Sequence, residues 1–171
     1  MGFWTDSTLE PKRSHRWLFF ARNSQLESFV IKSVDKPGFS INETSHNFYG
    51  HYFYYPGQLT WDEISVTLVD PVDPDSSHAL IKALQRSGYR PPSEQHKEGN
   101  LFTISKAEAV DALGPRIQIE QRGSGNEKLE TWSFINPWIK SVKFGSLAYD
   151  SDAMLDISMS IRYDFAEFEK H

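Results

Sequence analysis

Near the C-terminal end, eleven consecutive residues alternate between apolar and polar. Leu155, Ile157, Met159, Ile161, Tyr163 and Phe165 are interleaved with Asp156, Ser158, Ser160, Arg162 and Asp164. A β-strand turns successive side chains to opposite sides. The stretch therefore has a core face, carrying Leu155, Ile157, Met159, Ile161 and Tyr163, and a polar face for water. A sheet covered on one side and wet on the other is the signature of antiparallel pairing.

The same period recurs upstream. Ile64, Val66 and Leu68 oppose Ser65 and Thr67, Ile117 and Ile119 share a face, and so do Trp132 and Phe134. Strands are expected over residues 16–21, 28–34, 39–55, 59–69, 115–121, 129–135, 138–144 and 155–165. They are bounded by turn signals such as Pro37-Gly38, Pro56-Gly57, Asp70-Pro71 and Asn136-Pro137. Gly50 predicts a hairpin tip or bulge within 39–55. Two segments change period. Asp75 is an N-cap for a helix over 75–87, whose stripe of Ala79, Leu80, Ala83 and Leu84 is expected to cover the sheet, with Gly88 beyond its end. Ser105-Lys106-Ala107-Glu108 has capping-box spacing, and Gly114-Pro115 stops the short helix that follows. The fold class is mainly β, with one flanking α-helix and a second short helix.

The 171 residues suit one domain at about 150 residues per domain. Aromatic residues make up 14%, which excludes a disordered chain. We expect an N-terminal arm over 1–12, holding Phe3 and Trp4, ahead of a single domain over 13–171. The arm has no apolar core and does not read as a signal peptide. The formal net charge of −5 gives neither the basic footprint of a nucleic-acid binder nor polybasic attraction to a membrane. No cysteine is present, so disulfides, thiol nucleophiles and Cys-zinc sites are excluded.

No nucleophile elbow, phosphate-binding loop, dinucleotide fingerprint or zinc-protease motif occurs. Gly123-Ser124-Gly125 reads as a hairpin turn. His46 and His51, five residues apart in a strand, are expected on opposite faces and so do not share a metal. Asp156 and Asp164 share a face but lie ~27 Å apart at strand rise, too far for a two-carboxylate mechanism. No catalytic residue, metal or cofactor is expected. The densest feature is aromatic: Phe48, Tyr49, Tyr52, Phe53, Tyr54 and Tyr55. These residues serve either a sheet core or a contact surface. Because they occupy both faces of a strand, a contact between subunits is the preferred reading; a carbohydrate-binding β-sandwich with aromatic stacking platforms is the alternative from another class.

Two segments carry a resemblance. Trp61-Asp62-Glu63-Ile64-Ser65-Val66-Thr67-Leu68-Val69-Asp70 runs from a Trp/acidic pair through an alternating strand to an acidic turn and a helix. Thr131-Trp132-Ser133-Phe134-Ile135-Asn136-Pro137-Trp138 leads to an Asp-rich turn and the alternating terminal strand. This order resembles the tail tube proteins of contractile-tailed bacteriophages, relatives of type VI secretion tube proteins. The resemblance implies a β-sandwich or barrel-like fold. It implies hexameric rings stacked into a tube, with a sheath protein outside and the tape-measure protein, and transiently DNA, in the lumen. Baseplate and tail-terminator proteins sit at the ends, the chain binds no membrane, and the tube belongs to a virion tail assembled in the bacterial host cytoplasm. A tube initiator, terminator or neck ring shares this fold. Under the resemblance, Asp156, Ser158, Ser160, Arg162 and Asp164 face the lumen, while Phe3, Trp4, Phe48, Tyr49, Tyr52 and Tyr54 make contacts between subunits or rings.

Overall fold

A computed structural model describes residues 11–22, 28–93 and 103–171. Ten strands appear in it: β1 (Trp17–Ala21), β2 (Ile31–Val34), β3 (Phe39–Phe48), β4 (His51–Trp61), β5 (Ile64–Val69), β6 (Arg116–Arg122), β7 (Lys128–Ile135), β8 (Trp138–Lys143), β9 (Asp156–Arg162) and β10 (Phe165–Lys170). Helices α1 (Ser76–Arg86) and α2 (Lys106–Leu113) lie between β5 and β6. The strands form two four-stranded antiparallel sheets, β1-β6-β7-β10 (sheet A) and β2-β5-β9-β8 (sheet B), and a separate β3–β4 hairpin. The chain is thus mainly β with two helices.

Strand alternation builds the core. Ile64, Val66 and Leu68 of β5 and Ile157, Met159 and Ile161 of β9 are buried in one cluster with Phe19, Ile117, Ile119 and Phe134 of sheet A. Register aligns these residues across each sheet: Ile64 faces Ile161 and Val66 faces Met159, while Ile117 faces Phe134. Leu80 of α1 and Leu113 of α2 complete the cluster. The expected helical cover is corrected here. Sheet A covers sheet B, and α1 packs mainly on α2, which in turn meets β8.

Both helices start as their sequences predict. The Asp75 carboxylate accepts from the His78 backbone N–H at 2.8 Å, and the Ser105 hydroxyl accepts from that of Glu108 at 3.2 Å. Four strand boundaries differ from expectation. The stretch expected as a strand over 28–34 opens with a 3-10 turn over Ser28–Val30, and β2 starts at Ile31. The 59–69 stretch breaks at Asp62-Glu63, where β4 leaves the hairpin and β5 enters sheet B. Pro56-Gly57 does not end a strand but lies in a register shift inside β4. A Cβ on Gly57 would stand 2.9 Å from the Asn42 carbonyl oxygen, so the shift needs glycine. The terminal strand breaks at Tyr163-Asp164, and the chain crosses from sheet B to sheet A. Phe165 consequently falls in the row of Arg116 and Ile135, on the outer side of sheet A, and is 44% exposed.

Phe134 is fully buried and meets Tyr163 edge to face, with ring centroids 4.9 Å apart. Phe134→Ala is expected to cost about 3–5 kcal/mol in urea unfolding. Phe48→Ala, at an exposed position, is expected to change the subunit's stability by no more than ~0.5 kcal/mol.

Candidate assembly surfaces

The hairpin stands off the body. Every residue of β3 is exposed, and so is every residue of β4 except Trp61 at its root. At the root, Trp61 packs against Phe39 and Tyr163, with centroids at 5.7 and 6.3 Å, and the Asp62 N–H donates to the Gly38 carbonyl at 2.9 Å. At the tip, Tyr49 and Gly50 have φ of 51° and 81°, the left-handed pair of a tight two-residue hairpin turn. One face carries Ile41 opposite Leu59, with Tyr54 and Tyr52 beyond them; the other carries Phe48, Phe53 and Tyr55. Both faces therefore carry large apolar groups among polar ones (Glu43, Ser45 and Asn47 on the first, Thr44, His46 and His51 on the second), and neither is covered by the body.

The histidine expectation is corrected at this tip. His46 pairs with Phe53 and His51 with Phe48, so the two imidazoles occupy diagonal positions on one face. The intervening turn puts them on facing strands, where simple alternation along one strand no longer applies. Among the described residues, no group of three or more His, Cys, Asp or Glu is placed to hold a metal ion. Phe3 and Trp4 lie outside the described residues.

The outer face of sheet B is hydroxylic. Ser65, Ser160 and Ser141 form one cross-strand row, and Thr67, Ser158 and Lys143 the next. Lys32 Nζ lies 2.5 Å from an Asp156 carboxylate oxygen, and Lys140 Nζ lies 2.8 Å from Glu63. Hydrogen bonds from Lys140 and Ser160, reinforced by the charges of Lys140 and Arg162, hold the Glu63 carboxyl below its usual range. Asp156, Ser158, Ser160 and Arg162 share this face. Leu155 is half-buried just before β9, while Ile157, Met159, Ile161 and Tyr163 are buried.

Asp164 lies beyond β9, in the corner between sheets, so its row differs from that of Asp156. Its carboxylate accepts from Lys106 Nζ at 2.7 Å and Asn136 Nδ2 at 2.9 Å, and its N–H donates to the Ile135 carbonyl at 3.0 Å. Those side-chain bonds hold its carboxyl below the usual range. The Tyr163 hydroxyl is buried without a hydrogen-bond partner among the described residues; burial, and then the Asp62 charge, push its pKa up to about 12.

Two buried carboxylates on the sheet A strands escaped the sequence reading. Glu130 accepts from both Lys12 and Lys36, which ties the N-terminal segment and the β2–β3 connection to β7. Glu120 pairs with Arg122 at 2.5 Å and Lys128 at 2.6 Å. The only sequence signal was a pair of acidic residues within otherwise strand-like runs.

No protein-family model and no curated protein matches the chain. Solved structures do match. A chain of the six-fold symmetrised anti-feeding prophage baseplate superposes with a TM-score of 0.64 at 12% identity, covering 94% of this chain and 97% of that one. A chain of the PVC sheath/tube terminator, from an extracellular contractile injection system, gives 0.60 at 18% identity, with the same coverages of 94% and 97%. A chain of the PVC sheath-tube complex gives 0.57 at 16% identity, covering 96% and 95%. This chain has the tail-tube fold.

Burial pushes the Glu130 carboxyl up, but the hydrogen bonds and charges of Lys12 and Lys36 together outweigh it and leave it below the usual carboxylate range. Its ionisation therefore favours the folded state. The contribution is complete above the unfolded-chain value of about 4.3 and is lost as pH falls through the lower folded value. Glu130→Gln is expected to be less stable than the parent near neutral pH. In urea melts the gap should shrink steadily as pH falls below about 4.3; a constant gap would remove Glu130 from the acid response.

Proposed function

We propose that the chain is a structural subunit of a contractile tail or injection tube, forming hexameric rings that stack around a channel. The observation that carries this reading is the arrangement of sheet B. Its end strands, β2 and β8, run in opposite directions, because each of the three intervening pairings is antiparallel. A copy rotated about a ring axis therefore presents β2 antiparallel to the neighbour's β8, and the ladder continues from copy to copy. Head-to-tail contacts of this kind close by rotation and remove sheet edges. The hydroxylic outer face, with Asp156, Ser158, Ser160 and Arg162, lines the lumen. Asp164 leaves this set and serves the corner instead.

In this reading the aromatic hairpin, with Phe48, Tyr49, Tyr52 and Tyr54, contacts other copies, and the arm carrying Phe3 and Trp4 does the same. A sheath surrounds the tube, and the tape-measure protein and DNA occupy the lumen of a phage version, built in the host cytoplasm as part of a virion tail. A terminal ring is the second reading, since chains of the PVC sheath/tube terminator and of the anti-feeding prophage cap share the fold, each at a TM-score of 0.60.

Negative-stain microscopy with sizing chromatography on one sample is expected to show hollow six-fold rings or stacked tubes. A monomer at every concentration, with saturable binding of a sugar, would replace this reading with the binding module. The lumen assignment has its own check. Assembled parent tubes are expected to retain little DNA at about 0.15 M salt. Tubes of Ser158→Lys should bind it with a salt-dependent affinity, through release of phosphate counterions. Equal retention by both would move Ser158 out of the lumen.

A further inference from the structure

The two flanks of sheet B differ. Along the β8 flank, α1 packs on α2, and α2 meets β8. Between them lies a groove of about 360 Å³, lined in part by Leu80, Ile81 and Leu84 of α1, Ala109 of α2, Val142 of β8, and Phe144 just beyond it. Ile81, Leu84 and Phe144 are exposed, so water reaches an apolar wall. The opposite flank is β2, which follows the 3-10 turn over Ser28–Val30. That turn is held on both sides of its middle residue. Ser28 Oγ accepts from the Phe19 N–H at 3.4 Å, and Val30 is buried in the core. Phe29, between them, is 69% exposed. Its backbone is fixed in the free subunit, so docking its ring costs little further ordering.

We propose that Phe29 of one copy seats in the α1–α2–β8 groove of its neighbour within a ring. This rests on the tube reading above and names the side chain that anchors the strand junction. Register supplies the alignment. Val34, Val66, Met159 and Val142 form one cross-strand row of sheet B. Ile31, Leu68 and Ile157 form another, which ends beside Phe144, the residue after Lys143. When the ladder continues in step from β8 to the neighbour's β2, Val142 meets Val34 and Phe144 meets Ile31. Phe29 lies two residues before Ile31, so it arrives at the Phe144 end of the groove. A dry site of ~150 Å³ holds a benzene ring, so the groove admits the phenyl group whole. Three strand steps of ~4.8 Å separate β2 from β8 in one copy, so the groove takes another copy's Phe29 and not its own. Charge is not what joins the flanks: Lys32 and Lys140 are already paired within their own copy, with Asp156 and Glu63. An aromatic ring in a desolvated pocket is the usual energetic centre of an interface. Unlike flanks make a heterologous contact that closes by rotation.

A double-mutant cycle on ring formation tests this. Phe29→Ala, Ile81→Ala and the two together are made in the full chain. Both side chains are exposed, so all three variants are expected to keep the parental unfolding midpoint. Sizing chromatography with microscopy gives the concentration at which half the protein is in rings. Phe29→Ala is expected to raise it about tenfold or more, as loss of an interface anchor does. Ile81→Ala, on the other flank, is expected to raise it several-fold. The double variant is expected to be scarcely weaker than Phe29→Ala alone, because both changes remove one contact. Rings at the parental concentration from either single variant overturn the proposal and leave the tube reading standing. Losses that multiply in the double variant do the same. A parent that stays monomeric at every concentration overturns both.

Discussion

The two sheets share one buried core, and the chain passes between them at the corner of Asp164. The chain changes sheet twice at this place, from β7 to β8 through Asn136-Pro137 and from β9 to β10 through Tyr163-Asp164. One carboxylate bonds Asn136 of the first crossing and Lys106 at the start of α2, while its own backbone belongs to the second. Tyr163, its neighbour, is thereby aimed into the core against Phe134 and toward Trp61 at the hairpin root. Sheet packing, helix position and hairpin origin thus share one polar junction. It joins segments around residues 106, 135–136 and 164, which are distant in sequence.

Much of this was legible in the sequence, because the forces involved are local. Alternation in 64–69 and 155–162 located β5 and β9 and identified their buried faces, and cap chemistry at Asp75 and Ser105 located both helices. The failures occur where the outcome depends on distant segments. Asp164 has the polar parity of a continuing strand, so its place in the alternation is the same whether the chain goes straight or crosses to another sheet. Pro56-Gly57 reads as a terminator by local chemistry, yet the strand continues because its partner Asn42 tolerates a glycine at close range. Counting residues put His46 and His51 on opposite faces, and two turn residues reversed that parity. The stripe on α1 showed that the helix was amphipathic, while the identity of its neighbour was a matter of topology.

The hairpin poses a physical problem that a lone subunit does not solve. Two strands of ten and eleven residues carry aromatic groups on both faces, with no layer of the body against either. An isolated two-stranded ribbon is marginal in water. Here cross-strand pairs and the packing of Trp61 at the root hold its shape, and the solvation cost of the tip persists. Evolution of a soluble monomer would replace such residues with polar ones at little cost to the fold, since none of them contributes to the core. Their presence is therefore best accounted for by an assembled state that covers them.

The proposed channel wall follows from the same accounting applied to polar groups. On the outer face of sheet B, Lys32 meets Asp156 and Lys140 meets Glu63, and serine and threonine hydroxyls fill the rows between. Paired charges cancel within a few ångströms, and their residual field is screened over about 8 Å at physiological salt. Hydroxyls hydrogen-bond water without attracting ions of either sign. The face also carries Lys143 and Arg162, so four cations stand over two carboxylates, Asp156 and Glu63; such a wall stays wetted and offers a passing polyanion only a sparse set of cations on which to release counterions. The −5 net charge therefore resides on other surfaces.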